Sequence, residues 1–96
     1  MEKDAIIQEA IKIIRRHLPQ EYQIMLFGSW ARGDALATSD IDVGILGKKK
    51  VPRSVMAKIV AEVENLPTLR SVDVVDLNTK ETNFRQEALR YAKTLA

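Results

Sequence analysis

Ile6, Ala10, Ile14 and Leu18 recur at every fourth position, and Ile7 and Ile11 widen the same stripe. One face of a helix is therefore apolar. Arg15, Arg16 and His17 fall in its last turn, where cations suit the carbonyl end of the helix dipole, and Pro19 cannot continue it. A helix is predicted over Asp4 to His17. The period then changes. The run Tyr22-Gln23-Ile24-Met25-Leu26-Phe27 is short, apolar and closed by Gly28, which predicts a buried strand. From Asp40 to Leu46 the pattern alternates and then becomes continuously apolar, a second strand. Pro52 suits the first turn of a helix whose face holds Val55, Ile59 and Val63 and which stops before Pro67. The valine-rich segment from Ser71 to Leu77 is a third strand. Phe84, Ala88, Tyr91 and Leu95 again follow helical spacing, predicting a closing helix from about Thr82 to Leu95 with both aromatic rings turned to the core.

The order is α, β, short turn, β, α, β, α. It predicts an α/β (α+β) fold in which a small mixed sheet of three or more strands is flanked by helices. With 96 residues, 46% of them hydrophobic and 29% charged, the chain reads as a single globular domain spanning residues 1–96. A core this small leaves little surplus stability, so association as a homodimer or hetero-oligomer is expected. No apolar run approaches the roughly 20 residues of a membrane span. Met1-Glu2-Lys3-Asp4 lacks the basic-then-apolar start of a secretory signal, and there is no cysteine. Both point to the cytoplasm. A net charge of +2 gives no electrostatic footprint for nucleic acid. The one dense basic run, Lys48-Lys49-Lys50 with Arg53, reads as a solvated loop.

Candidate chemistry enters between the first two strands. Gly28 lies where the chain must reverse, and without a Cβ it lets backbone approach a ligand. Ser29 is suited to cap a short helical turn through Trp30, Ala31 and Arg32, which Gly33 would end in a left-handed conformation. A strand feeding a helix N-terminus leaves N–H groups free and favours phosphate, to which Ser29 can add a hydroxyl and Arg32 a charge. By itself a Gly-Ser pair is only a turn, and no P-loop run is present.

Alternation along a strand puts Asp40, Asp42 and Gly44 on one side and Ile41, Val43 and Ile45 on the other. Gly44 on that side is expected to leave room for a bulky ligand. On the third strand Asp73, between Val72 and Val74, can face the same point if the two strands are neighbours, while Asp76 faces away. Ionised carboxylates about 6 Å apart repel by on the order of 3 kcal/mol per pair at an effective dielectric near 20. A divalent cation resolves that conflict, and all-oxygen donors favour Mg²⁺ or Mn²⁺ over Zn²⁺. A lone pair of strand acids facing water would need no such ion. A phosphate-holding turn ahead of a metal-binding acid pair, in contrast, is what nucleotidyl transfer requires.

Gly28-Ser29, ten residues (30 to 39), then Asp40-Ile41-Asp42 resembles the signature of the DNA polymerase beta-like nucleotidyltransferase superfamily. Within it, "GSWARGDALATSDIDVGI" looks like the minimal nucleotidyltransferases, antitoxin-like partners of HEPN-domain proteins. The leading helix, the "VDVVDL" strand and the closing helix follow the same order, so the resemblance covers nearly the whole chain. It implies that Gly28 and Ser29 hold the triphosphate of an NTP, with ATP the expected substrate, and that Asp40 and Asp42 bind the metal. Asp73 is implied as third metal ligand or as base for the attacking hydroxyl, with Arg32 and Ser39 as further nucleotide contacts. The implied reaction moves a nucleoside monophosphate, AMP from ATP, onto a hydroxyl, and the implied acceptor is a tyrosine of a HEPN-type toxin. The alternatives are an antitoxin that neutralises its partner by complex formation alone, and a nucleotide-sensing regulatory subunit.

Two residues stand outside this chemistry. His17 has no acid or hydroxyl neighbour in sequence and is expected to cap a helix or face solvent. Trp30, beside a short turn, is expected to cover the core rather than stack on a base.

Overall fold

A computed structural model describes residues 1–96. Eight elements follow one another: α1 (Lys3–His17), β1 (Gln23–Phe27), α2 (Ser29–Arg32), β2 (Ile41–Leu46), α3 (Arg53–Glu64), β3 (Val72–Asp76), α4 (Thr82–Arg90) and β4 (Lys93–Thr94), with a 3-10 turn at Leu77–Thr79. The strands form one mixed sheet in the order β3-β2-β1-β4. β1 is antiparallel to β2 and β4, whereas β2 and β3 run parallel and are joined by the helical crossover, α3, that a parallel pair needs.

The core lies between one face of the sheet and helices α1 and α3. Ile41, Val43 and Ile45 of β2 are all 0% exposed and pack with Ile24 and Leu26 of β1, Ile6, Ile13 and Ile14 of α1, and Ile59 and Val63 of α3. Each such side chain contributes about 1.5–3 kcal/mol of burial. Trp30 packs against this cluster, as expected for a core-covering ring. The opposite face carries Met25, Phe27 and Leu77, also buried.

Asp76 turns to the helical side and is buried. Its carboxylate accepts from the N–H groups of Val51, at 2.7 Å, and Asn78, at 3.0 Å, fastening the segment that leads into α3 to the end of β3. Asp76→Ala strands both donors and is expected to cost about 2–3 kcal/mol, lowering the melting temperature by roughly 10–20 °C for a domain of this size. Asp76→Asn, which keeps one acceptor oxygen, is expected to lose less. A thermal melt of the pair checks both.

Three expectations are corrected. The closing helix ends at Arg90, not Leu95, and the chain turns into β4. The free edge of β1 outcompetes another helical turn: Leu95 N–H donates to Ile24 O at 2.7 Å, and Ile24 N–H donates to Ala96 O at 2.9 Å. Leu95 still reaches the core. Phe84 and Tyr91, expected to be core residues, remain 46% and 47% exposed, because α4 buries none of its residues. His17 is neither a cap nor free: its Nε2 pairs with Glu62 of α3, which also takes Arg16 at 3.2 Å. The partner lies 45 residues away, so adjacency in sequence could not reveal it.

Candidate active site

The site is built where β1 ends. Gly28 has φ 73° and ψ −154°, a conformation open almost only to glycine. It occupies the cap position of α2, and Ser29 is the first helical residue, without a side-chain capping bond. The expectation that Ser29 is the cap is corrected by one position: the left-handed bend has to come first. Gly28 O accepts from the N–H groups of Ala31 and Arg32. Those of Ser29 and Trp30 are the ones a first turn leaves without an intrahelical partner. Gly33 closes α2 in the left-handed conformation, φ 89°, as its sequence position predicts.

Strand pairing brings the acids to that turn. Asp42 of β2 is in register with Phe27 of β1 and with Asp73 of β3, so Phe27, Asp42 and Asp73 form a row across three adjacent strands, and Gly28 follows directly where β1 ends. Asp40 precedes β2, whose first residue is tied to the segment before β3 by the Ile41 N–H donating to Ser71 O at 3.0 Å. Asp40 and Asp73 are exposed, and Asp42 is half-buried between them. Burial pushes the Asp42 carboxyl above its ordinary value of 3.8; the charges of Asp73 and then Asp40 push the same way, and the Arg32 guanidinium opposes them. The turn and the acids are in direct contact. A Cβ on Gly28 would collide with Asp42 Oδ2 and come within 3.0 Å of its Cγ, so the glycine is needed by the acid as much as by any ligand.

Arg32 donates from Nε to Asp34 at 3.2 Å. The Ser39 hydroxyl accepts from Leu36 N–H at 2.8 Å, and its carbonyl accepts from the Trp30 indole N–H at 3.1 Å. Ser39 thus shapes the loop that delivers Asp40. Trp30 is further held by Lys3 Nζ, 4.4 Å from the ring centroid. Gly44 does not leave open space, contrary to expectation: a Cβ there would meet Leu77 Cδ1 at 2.8 Å and Phe27 Cδ1 at 3.3 Å. Its role is to let Leu77 pack down on the sheet beside Asp42.

The donors are all oxygen, suited to a hard divalent cation. The carboxylates neighbour one another without closing into a ligand set of three. They therefore fit an ion that keeps water and takes phosphate oxygens to complete its shell, as Mg²⁺ does, rather than an all-protein cage.

Comparison with known proteins gives a family and a fold. The polymerase beta nucleotidyltransferase family matches residues 8–96. The protein adenylyltransferase MntA of Shewanella oneidensis is 28% identical over 85 residues, which are 88% of this chain and 60% of that protein. The chain thus spans less than two thirds of that relative's length. A crystal structure of a toxin–antitoxin with AMP-PNP superposes with a TM-score of 0.74 at 26% identity, over 99% of this chain and 73% of the other. A structure of the tri-AMPylated Shewanella oneidensis HEPN toxin in complex with MNT antitoxin gives 0.73 at 23% identity, over 99% and 72%, a likeness of fold. No helix is long and apolar enough to cross a membrane. On the match over nearly its whole length, with the Gly-Ser turn and the aspartate pair set against each other as described, the chain belongs to the polymerase beta nucleotidyltransferase family.

Proposed function

We propose that this protein is a Mg²⁺-dependent nucleotidyltransferase that moves AMP from ATP onto a hydroxyl of a partner protein, a tyrosine of a HEPN-type toxin, and so acts as its antitoxin. The observation that carries the reading is the close approach of the Gly28 turn to Asp42, which is in register with Asp73 on the adjacent strand, with the Asp42 carboxyl raised by burial and by its acidic neighbours. The name of the relative MntA, a protein adenylyltransferase, supports the reaction class, and the AMP-PNP in the toxin–antitoxin structure supports the nucleotide. A substrate of this kind supports a cytoplasmic location, where ATP is abundant.

Gly28 and Ser29 bind the triphosphate through backbone N–H groups and the Ser29 hydroxyl, and Arg32 offsets its charge. Asp40 and Asp42 would hold the metal, Mg²⁺ or Mn²⁺, and Asp73 would act as base or close onto the bound ion as a third ligand. The bound ion supplies Lewis-acid stabilisation of charge on the transferring phosphoryl group. The acceptor oxygen attacks the α-phosphorus, the bond from that phosphorus to the bridging oxygen breaks, and pyrophosphate leaves. Asp73 in the second role takes the hydroxyl proton. In-line displacement sets the attacking and leaving oxygens on opposite sides of the phosphorus. With pyrophosphate on the β1 side, the acceptor enters from the β3 side, where a groove of about 850 Å³ is lined by residues that include Asp40, Arg70 and Ser71.

The test is incubation with α-labelled ATP, Mg²⁺ and the protein encoded by the adjacent gene. Label on the partner with release of pyrophosphate is expected, and chelation by EDTA should abolish both. A tight complex with no label transferred would replace the enzyme by an antitoxin that works through binding alone.

A further inference from the structure

The cleft beneath α4 has no part in the chemistry above, although it opens beside it. Its volume is about 140 Å³, and it is lined by Phe27, Gly28, Arg32, Phe84, Glu87, Ala88 and Tyr91. Two of these residues, Gly28 and Arg32, belong to the turn assigned above to phosphate, so the cleft adjoins that turn directly. The walls are mostly carbon: two half-exposed aromatic rings, a buried phenylalanine and an alanine. Phe84 meets Phe27 edge-on, with ring centroids 6.3 Å apart. Cations lie over both exposed rings, Lys80 at 5.8 Å from Phe84 and Arg90 at 5.6 Å from Tyr91. Half-exposed aromatic rings are costly to leave facing water, and α4 does not bury them in the protein's own core. The polar side-chain groups among the lining residues are the Arg32 guanidinium, the Tyr91 hydroxyl and the Glu87 carboxylate, the last an acceptor only. Glu87 makes only a loose 4.0 Å pair with Arg90 on the outside.

We propose that this cleft is the nucleobase pocket, and that it selects a base bearing an exocyclic amine. Phe84 and Tyr91 supply the aromatic surface on which a flat heterocycle stacks. The Glu87 carboxylate accepts a hydrogen bond from the amine, an acceptor-only group that a carbonyl in the same place would repel. The inference rests on the nucleotidyltransferase reading, and it adds which nucleotide is taken and by which residues.

Calorimetric titrations of the full chain with Mg²⁺ and, in turn, ATP, inosine triphosphate and tripolyphosphate test it. Inosine triphosphate differs from ATP at the purine C6 position, carrying a carbonyl in place of the amine, and tripolyphosphate has no base at all. ATP is expected to bind at least tenfold more tightly than either. Tyr91→Ala should weaken ATP by about tenfold or more, the range for losing one aromatic stacking surface, and leave tripolyphosphate unchanged. Glu87→Ala should remove the preference for ATP over inosine triphosphate. Both residues are exposed, so unchanged melting curves are expected, whereas Phe84→Ala also loses the contact with Phe27 and is the less clean variant. Equal binding of ATP and tripolyphosphate, or variants that bind ATP as the parent does, would overturn the pocket and leave the phosphate and metal site standing. Binding of none of the three ligands would overturn the nucleotide reading and the pocket with it.

Discussion

Asp42→Asn is expected to reduce nucleotidyl transfer by about 10³-fold or more, the scale of losing a group that organises charge at the reacting phosphorus. In metal-free buffer it should leave the melting temperature unchanged or raise it. Both outcomes have one cause. The folded protein holds the Asp42 carboxyl above its ordinary value, first by burial and then by Asp73 and Asp40, so its ionised form opposes folding. That cost is fully present above the folded-state value and disappears as the pH falls through it towards 3.8. The parent and Asp42→Asn should therefore differ most near neutral pH and converge in acid, as melts at several pH values would show. Mg²⁺ with ATP should raise the melting temperature of the parent and do little for the variant. A variant that melts lower than the parent without metal would sink the idea of mutually repelling carboxylates. Label transfer that survives the substitution would remove Asp42 from its assigned role.

The same residue marks how much was legible beforehand. Alternation alone put Asp40 and Asp42 on one side of a strand and Ile41, Val43 and Ile45 on the other, and those three are fully buried. Burial on one face admits only one register, so the acids' face followed from the isoleucines and the valine. Asp73 could be aligned with Asp42 only on the condition that β2 and β3 are neighbours, which they are. What stayed hidden depends on contacts between residues distant in sequence. Gly44 suggests clearance in the sequence because nothing there announces that Leu77 will cover it. Phe84, Ala88, Tyr91 and Leu95 keep a helical period past Arg90, yet the open edge of β1 claims the last residues. A two-residue strand has no pattern of its own, since its partner defines it. The rings of Phe84 and Tyr91 carry the same ambiguity, for a helical stripe marks an apolar face without saying what will cover it.

Gly28→Ala should be nearly as damaging to transfer as Asp42→Asn, although it removes no functional group. Two strains add. At φ 73° and ψ −154° a residue with a Cβ costs on the order of 1–3 kcal/mol. The new methyl also points into the Asp42 carboxylate, so either the turn shifts away from the phosphate or the aspartate swings off the metal position. A double-mutant cycle separates the two strains. In an Asp42→Ala background the carboxylate is gone, and the nearest remaining atom is the Cβ at position 42, at 3.3 Å, a tight contact that a small shift relieves. Gly28→Ala should then cost only the backbone share, and its effect on melting should fall by roughly half or more relative to the parent background. Strict additivity would mean that glycine is required for its φ alone. Coupling would mean that the turn and the acid are shaped to each other: the residue that bends the backbone at the end of β1 also makes the space in which the Asp42 carboxylate stands.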